Sequence, residues 1–305
     1  MTAIDRTAYP RPGAPLTTEE LDARYHLNET DLFFVRDKAS SDAGRLTLAT
    51  LLKGRQDLGY FPALSAVHAD TVTHLAAQLD LATATPLLDE TRQKTMLHHH
   101  RTAVRTHLGV SPFSETAEQL VSDAVLASAE MMSDPADLIN RAIEALGKAS
   151  IDLPAFSTLD RLVNHLRTQV HTRIYEQVTA RLTPNIAMLL DELLKVPRGA
   201  VTTPFNRLKQ TPGPARPETI KLWTERLDWL TSLVDPDPLL DDISHTKLRQ
   251  FASEARALEV SELLAITQPG RRYVLVLSLL RQVRAQCRDE QRTAMEKLRD
   301  EAPER

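Results

Sequence analysis

Glycine is scarce in this sequence, 9 in 305 residues, and aromatic side chains make up only 5%. Strands favour aromatic and β-branched residues and tight hairpins favour glycine, so both shortages lean the chain towards helix. Cysteine occurs once, as Cys287, which excludes an internal disulfide and fits a cytoplasmic setting. No apolar run approaches the ~18 residues that span a bilayer, so no membrane partner is expected, and no signal peptide opens the chain. An excess of positive charge is also missing. The formal net charge is −4, which argues against a uniformly basic nucleic-acid binder. It leaves room for a local basic face, because screening makes local charge count for more than the total. There is no glycine-rich phosphate loop, no paired-cysteine zinc spacing, no HExxH and no nucleophile elbow. No catalytic residue, metal site or cofactor is therefore expected.

What is present suits a helical protein. Hydrophobic residues are 42% and charged residues 26%, enough apolar material for real cores, and the length suggests about two domains. Residues 1–15 are proline-rich without an apolar period and read as a flexible tail. Thr17 with Glu20, and Asn28 with Asp31, have the spacing of helix-capping boxes. "RLTLATLLKGRQDLGYF" turns Leu46, Leu48, Leu51, Leu52 and Leu58 inward and stops at Gly59. Further helices are expected over "HADTVTHLAAQLDL", up to Gly109, from Ser133-Asp134-Pro135 to about Leu146, from Ser157 to Val178, and after Thr183-Pro184. A Pro- and Gly-containing stretch from Pro197 to Pro217 separates these from "ETIKLWTERLDWLTSLV", "SHTKLRQFASEARALEVSELLAI" and a long charged last helix. The expected fold is all-α: multiple short helices in two or more compact bundles with helix-turn-helix-like units. The divisions are 1–15, 16–110, 111–198 and 199–305.

Two helices carry information. In "LPAFSTLDRLVNHLRTQVHTRIYEQV", Leu159, Leu162, Val163, Leu166, Val170 and Ile174 fall on one side at 100° per residue. Arg161, Asn164, His165, Thr168, His171, Thr172 and Tyr175 fall opposite, with no carboxylate among them. A major groove admits such a helix, and Arg and Asn suit bidentate contacts with guanine and adenine edges. Arg161, Asn164, His165, Thr168 and Thr172 are the expected base readers, with Arg167 and Arg173 on the flanks as phosphate contacts. A carboxylate there would be repelled by phosphate. The preceding helix, ending near Leu146, would complete a helix-turn-helix-like unit across Pro154. A solvated face that lacks acids by chance would give the same pattern. In "KTMLHHHRTAVRTHLG", Lys94, His98, Arg101 and Arg105 form a second phosphate-compatible stripe. His98, His99 and His100 point about 100° apart in succession and cannot chelate one ion together. His100 and His107 lie on the apolar side and read as core histidines.

Taken in order, these segments resemble the N-terminal DNA-binding region of Tn-three-family transposases. "DLPAFSTLDRLVNHLRTQVHTRIYEQVTARLTP" is similar to that family's Leu-Pro, Ser-Thr-Leu-Asp/Glu-Arg-Leu, basic helix and second "L(T/S)P" helix start. "HHRTAVRTHLGVSPF" resembles its "R…IR..LGF..F" helix, "YHLNETDLFFV" and "GRLTLATLLKGRQDLGYFPA" its opening helices, and "RRYVLVLSLLRQVRAQCRDEQ" its "RY..LL.FL" stretch. The resemblance runs from about Leu16 to the end. It implies binding of double-stranded DNA at transposon terminal inverted repeats, in a bacterial cytoplasm and on the nucleoid when bound. In the family, cutting and joining belong to a distant RNase-H-like domain with a metal-binding acidic triad, and a chain ending at Arg305 is expected to lack it and to be no enzyme. The alternative is a truncated relic that regulates or interacts, through self-association or with full-length transposase, without end specificity of its own.

Overall fold

The computed structural model describes residues 3–12, 15–132, 134–211, 213–214, 216 and 219–300. Ser133, Pro217 and parts of the expected tail lie outside these residues. Among the described residues the fold is all-α, as the composition implied: fifteen α-helices, two short 3₁₀ turns and no strand, with one isolated bridge between Ser111 and Ile151. The chain divides into two compact units, Met1–Val125 with Asp134–Asn164, and Leu126–Ser133 with His165–Arg305. These borders differ from the expected ones near 110 and 198.

The first unit is built around α3, Asp42–Leu58, which packs against α1 (Thr18–Tyr25), α2 (Glu29–Lys38), α4 (Ala69–Gln78) and α5 (Lys94–Leu108). Local chemistry sets the boundaries. Thr17 with Glu20 and Asn28 with Asp31 form complete capping boxes, and the Ser41 hydroxyl accepts from Gly44 N–H. Gly59, at φ 75°, closes α3 in the left-handed conformation that a side chain would disfavour. Leu46, Leu48, Leu51 and Leu52 are fully buried. Lys53 is buried too, and its Nζ donates to the buried Asp31 carboxylate at 2.7 Å.

The proline-rich start is packed rather than a loose tail. Tyr9 is 8% exposed, and its hydroxyl donates to the Pro154 carbonyl at 2.8 Å. Tyr60 donates to the Pro10 carbonyl at 3.2 Å, and Asn140 accepts from Ala8 N–H at 2.7 Å. Proline removes the option of regular structure without removing the apolar and aromatic contacts that anchor a segment.

Helix α6, Glu115–Ala129, was not expected. Then come α7, Pro135–Lys148, capped by Asp134 with proline at the first position, and α8, Phe156–Arg181. Helix α8 begins one residue before Ser157, so that residue lies inside the first turn rather than capping it. The link between α7 and α8 spans residues 149–155, longer than the turn of about three to four residues in a helix-turn-helix. It is pinned along its length: Ser111 N–H donates to the Ser150 carbonyl at 2.9 Å, Asp152 N–H donates to the Ser111 carbonyl at 2.8 Å, and Leu153 N–H donates to the Gly59 carbonyl at 2.9 Å.

The second unit is organised by α15, Pro269–Asp300, which packs against α9 (Pro184–Glu192), α10 (Pro204–Lys209), α11 (Ile220–Ser232), α12 (Asp237–Leu240) and α13 (His245–Ala257). Val274, Leu275, Val276, Leu277, Leu279 and Leu280 are all at most 1% exposed, so this part of α15 is covered all round, as an apolar run interrupted only by the equally buried Ser278 demands. Helix α10 lies inside the stretch expected to be a linker, with Phe205 and Leu208 buried. The segment expected as one helix from Ser244 to Ile266 is two: α13 ends at Ala257, and α14 (Val260–Ala265) restarts on a capping box of Glu259 and Glu262.

Gly270 marks a close approach. A Cβ there would sit 2.6 Å from Thr179 Oγ1 and 2.9 Å from the Tyr175 carbonyl oxygen. The backbone carbonyl cannot move aside cheaply. Gly270→Ala is therefore expected to lower stability by about 1–3 kcal/mol, despite the ~1 kcal/mol that alanine gains in a helix. Urea unfolding checks this, and a stabilised variant would show that the two helices can separate without cost.

Candidate nucleic-acid interface

Helix α8 presents its polar face unevenly. Arg161 is exposed, and its side chain makes no ion pair or hydrogen bond among the described residues. Asn164 is half-buried, and its amide donates to the Asp160 carbonyl at 2.9 Å and to Asp160 Oδ1 at 3.0 Å. The face is thus not acid-free: Asp160, four residues before Asn164, shares its side of the helix and occupies the donor that adenine reading would use. His165 and Thr168 are exposed and Thr172 is half-buried, with His165 Nε2 3.0 Å from the Gln169 amide nitrogen.

Two members of the expected face turn inward. Tyr175 is 5% exposed, and His171 packs edge-on against Phe251 with ring centroids 5.3 Å apart. Burial first, and then the charges of Lys247, Arg167 and Arg271, hold the His171 pKa down to about 3. His171 therefore carries no charge at neutral or mildly acid pH and cannot serve as a charged phosphate contact. On the flanks, Arg167 is half-buried with an unpartnered Nε, and exposed Arg173 pairs with Glu130 at 2.5 Å.

The stripe on α5 is likewise divided. Lys94 and His98 are exposed. Arg101 pairs with Glu90 at 3.3 Å. Arg105 donates through Nε to Asp152 Oδ2 at 2.6 Å, and its guanidinium lies over the Phe61 ring at 5.0 Å. Arg55 donates to the other oxygen of the same carboxylate at 2.5 Å. Of the expected core histidines, His100 is 4% exposed and its pKa is lowered by burial and by His99, while His107 stacks on Phe34 at 4.1 Å.

Sequence reading missed Asp152, the acid that gathers two arginines. It also missed a cleft of about 580 Å³ in the first unit, whose walls include Tyr60, Phe61, Phe113 and Phe156 beside Arg101 and Arg105. One signal was available. Phe61 precedes Pro62, Phe113 follows Pro112 and Phe156 lies two residues after Pro154, so each aromatic sits at a proline-marked turn next to a helix end.

An all-helical protein with exposed cations on two helices, and with no helix among the described residues long and apolar enough to cross a membrane, is the class this geometry defines. Residues 1–166 match the family described as domain of unknown function DUF4158, and the chain belongs to that family. It is similar to the transposase for transposon Tn501 of Pseudomonas aeruginosa, 26% identical over 277 residues, covering 90% of this chain and 28% of the relative. It is also similar to the transposase for transposon Tn2501 of Escherichia coli, 25% identical over 268 residues, covering 87% and 26%. The transposase for transposon gamma-delta of Escherichia coli (strain K12) is 26% identical over 261 residues, covering 83% and 26%. The kinship with Tn-three-family transposases that the motifs implied is thus established. The chain spans little more than a quarter of the length of these relatives.

Proposed function

We propose that this chain binds the terminal inverted repeats of a transposon, as the N-terminal portion of a Tn-three-family transposase, and contributes no cutting or joining chemistry itself. The observation that carries the reading is the exposed Arg161 near the start of α8, in a chain related to transposases over most of its length. The first turns of a recognition helix are the part that usually reaches base edges. Arg161 is the principal base reader, with His165, Thr168 and Thr172 further along the helix. Asn164 contributes once Asp160 releases its amide. Lys94 and His98 hold phosphates. Arg167, and Arg173 after leaving Glu130, position the helix on the backbone. Arg101 and Arg105 reach phosphate only at the expense of Glu90 and Asp152. Such binding would place the chain on the bacterial nucleoid.

The test compares a duplex carrying the transposon end with a random duplex of equal length, by fluorescence anisotropy. Arg161→Ala should weaken end binding by about 1–3 kcal/mol, roughly 5- to 150-fold, with little change on the random duplex. Lys94→Ala should weaken both alike and flatten the log–log salt dependence by about 0.9. Equal affinity of the wild-type chain for both duplexes would refute end recognition and leave a regulatory or interaction role as the better reading.

A further inference from the structure

The chain has 7 phenylalanines and 5 tyrosines, and five of these twelve line the single cleft described in the first unit. Aromatic residues spread by chance over a helical protein would mostly enter its cores. Here Tyr60, Phe61, Phe113 and Phe156 are only half-buried, so their rings still meet solvent. Phe61 already stacks under the Arg105 guanidinium, which Asp152 fixes in place. Tyr60 spends its hydroxyl on the Pro10 carbonyl, which orients its ring.

The charge beside this wall is cationic. Arg55 and Arg105 share the one Asp152 carboxylate, leaving a surplus of one positive charge. Arg101 holds Glu90 at 3.3 Å, longer than the ~2.7–2.9 Å of a strong charge-assisted hydrogen bond, and its buried Nε has no partner. A phosphate could therefore displace Glu90 from Arg101 at modest cost. The volume of about 580 Å³ lies within the ~300–1,000 Å³ of small-molecule sites.

We propose that this cleft holds one unstacked nucleotide of a DNA strand, its base against the aromatic wall and its phosphate on Arg101. Aromatic faces beside guanidinium groups are the chemistry by which proteins take unstacked bases, and they accept any base because every base has a π-face. The inference deepens the DNA-binding reading, and rests on it for the choice of a nucleic-acid ligand over a peptide. It concerns different residues from the α8 face, so the two can fail separately.

The probe is a fluorescein-labelled pentathymidylate, with an abasic pentamer of equal charge as comparison, measured by anisotropy on the full chain. The wild-type chain should bind the thymidylate at least tenfold more tightly than the abasic pentamer. Phe113→Leu keeps apolar volume but removes the ring, and should weaken thymidylate binding roughly 5- to 100-fold while the melting temperature holds. Arg101→Gln should weaken both pentamers. Arg161→Ala should leave thymidylate binding unchanged while weakening the transposon-end duplex. Equal binding of the two pentamers, an unaffected Phe113→Leu, or capture through Phe113 of an acidic aromatic peptide in place of the thymidylate would overturn the cleft assignment, whatever the duplex does. Thymidylate binding that depends on Phe113, with no preference for the end duplex, would uphold the cleft and defeat end recognition.

Discussion

Asp152→Ala is expected to cost the chain about 3–5 kcal/mol of stability, a large share of the ~5–15 kcal/mol that folded chains possess. The carboxylate is 5% exposed and accepts from Arg55 Nε on one oxygen and Arg105 Nε on the other. Arg55 is itself 9% exposed, so its guanidinium would be stranded away from water. Breaking a buried pair from one side is what makes the loss large, because the desolvated charge stays behind. Arg105→Ala should cost less, about 1–3 kcal/mol, because Asp152 keeps Arg55 and the Arg105 side chain is 24% exposed. The double variant Asp152→Ala with Arg55→Met should recover much of the loss, since no buried charge then remains unpaired. Urea unfolding of the wild type, Asp152→Ala, Arg55→Met and the double variant completes the cycle, with Arg105→Ala measured beside it. A single Asp152→Ala loss below about 1 kcal/mol would mean that water reaches Arg55 and that the two arginines are not held by this acid.

The same carboxylate shows where sequence reading runs out. Helix boundaries written in adjacent residues were legible. Thr17 with Glu20, Asn28 with Asp31, Gly59 and Gly109 all act within one turn of the residues they cap. The leucines of α3 were legible because a repeated large apolar side chain leaves a strong period. Helix α6 was missed because its buried stripe is Ala117, Val121, Val125 and Ala129, a regular spacing of four made from small and β-branched residues rather than large apolar ones. The break between α13 and α14 was missed because Glu259 rarely caps, and only its reciprocal bond with Glu262 makes it do so here.

The polar face of α8 was legible as a direction and not as a set of partners. Periodicity says which way a side chain leaves the helix, and Arg161, His165 and Thr168 do reach solvent. It says nothing of Glu130, which meets Arg173, or of Phe251, which covers His171 and Tyr175. Those partners come from other elements, far away in the chain. Asn164 and Asp160 are different: their spacing of four was visible, and the bond between them could have been anticipated.

Acidification from pH 6.5 to pH 4 should destabilise the fold by about 2–3 kcal/mol through His171 alone. The ring lies against Phe251 and Tyr175, and its Nε2 is buried without a hydrogen-bond partner. Burial, reinforced by the charges of Lys247, Arg167 and Arg271, holds its pKa down to about 3. In the unfolded chain the same imidazole titrates near ~6.5. Between these values the unfolded state binds a proton that the folded state refuses, so stability falls as pH falls; above ~6.5 both states are neutral and the effect vanishes. Lys247, whose pKa burial and Arg167 lower to about 8, stays charged in both states throughout this acid window and does not confuse the reading. Paired carboxylates such as Asp242, held below the usual range by Arg181, lose stability in acid as well, so the comparison must be with a variant. His171→Gln removes the titration while keeping a polar side chain of similar reach. Urea unfolding of both chains at pH 7.0, 5.5 and 4.5 should give curves that diverge as pH drops, with the variant losing less. Parallel curves would mean that the folded ring takes its proton near ~6.5, and then His171 would return as a charged group able to strengthen DNA binding in mild acid.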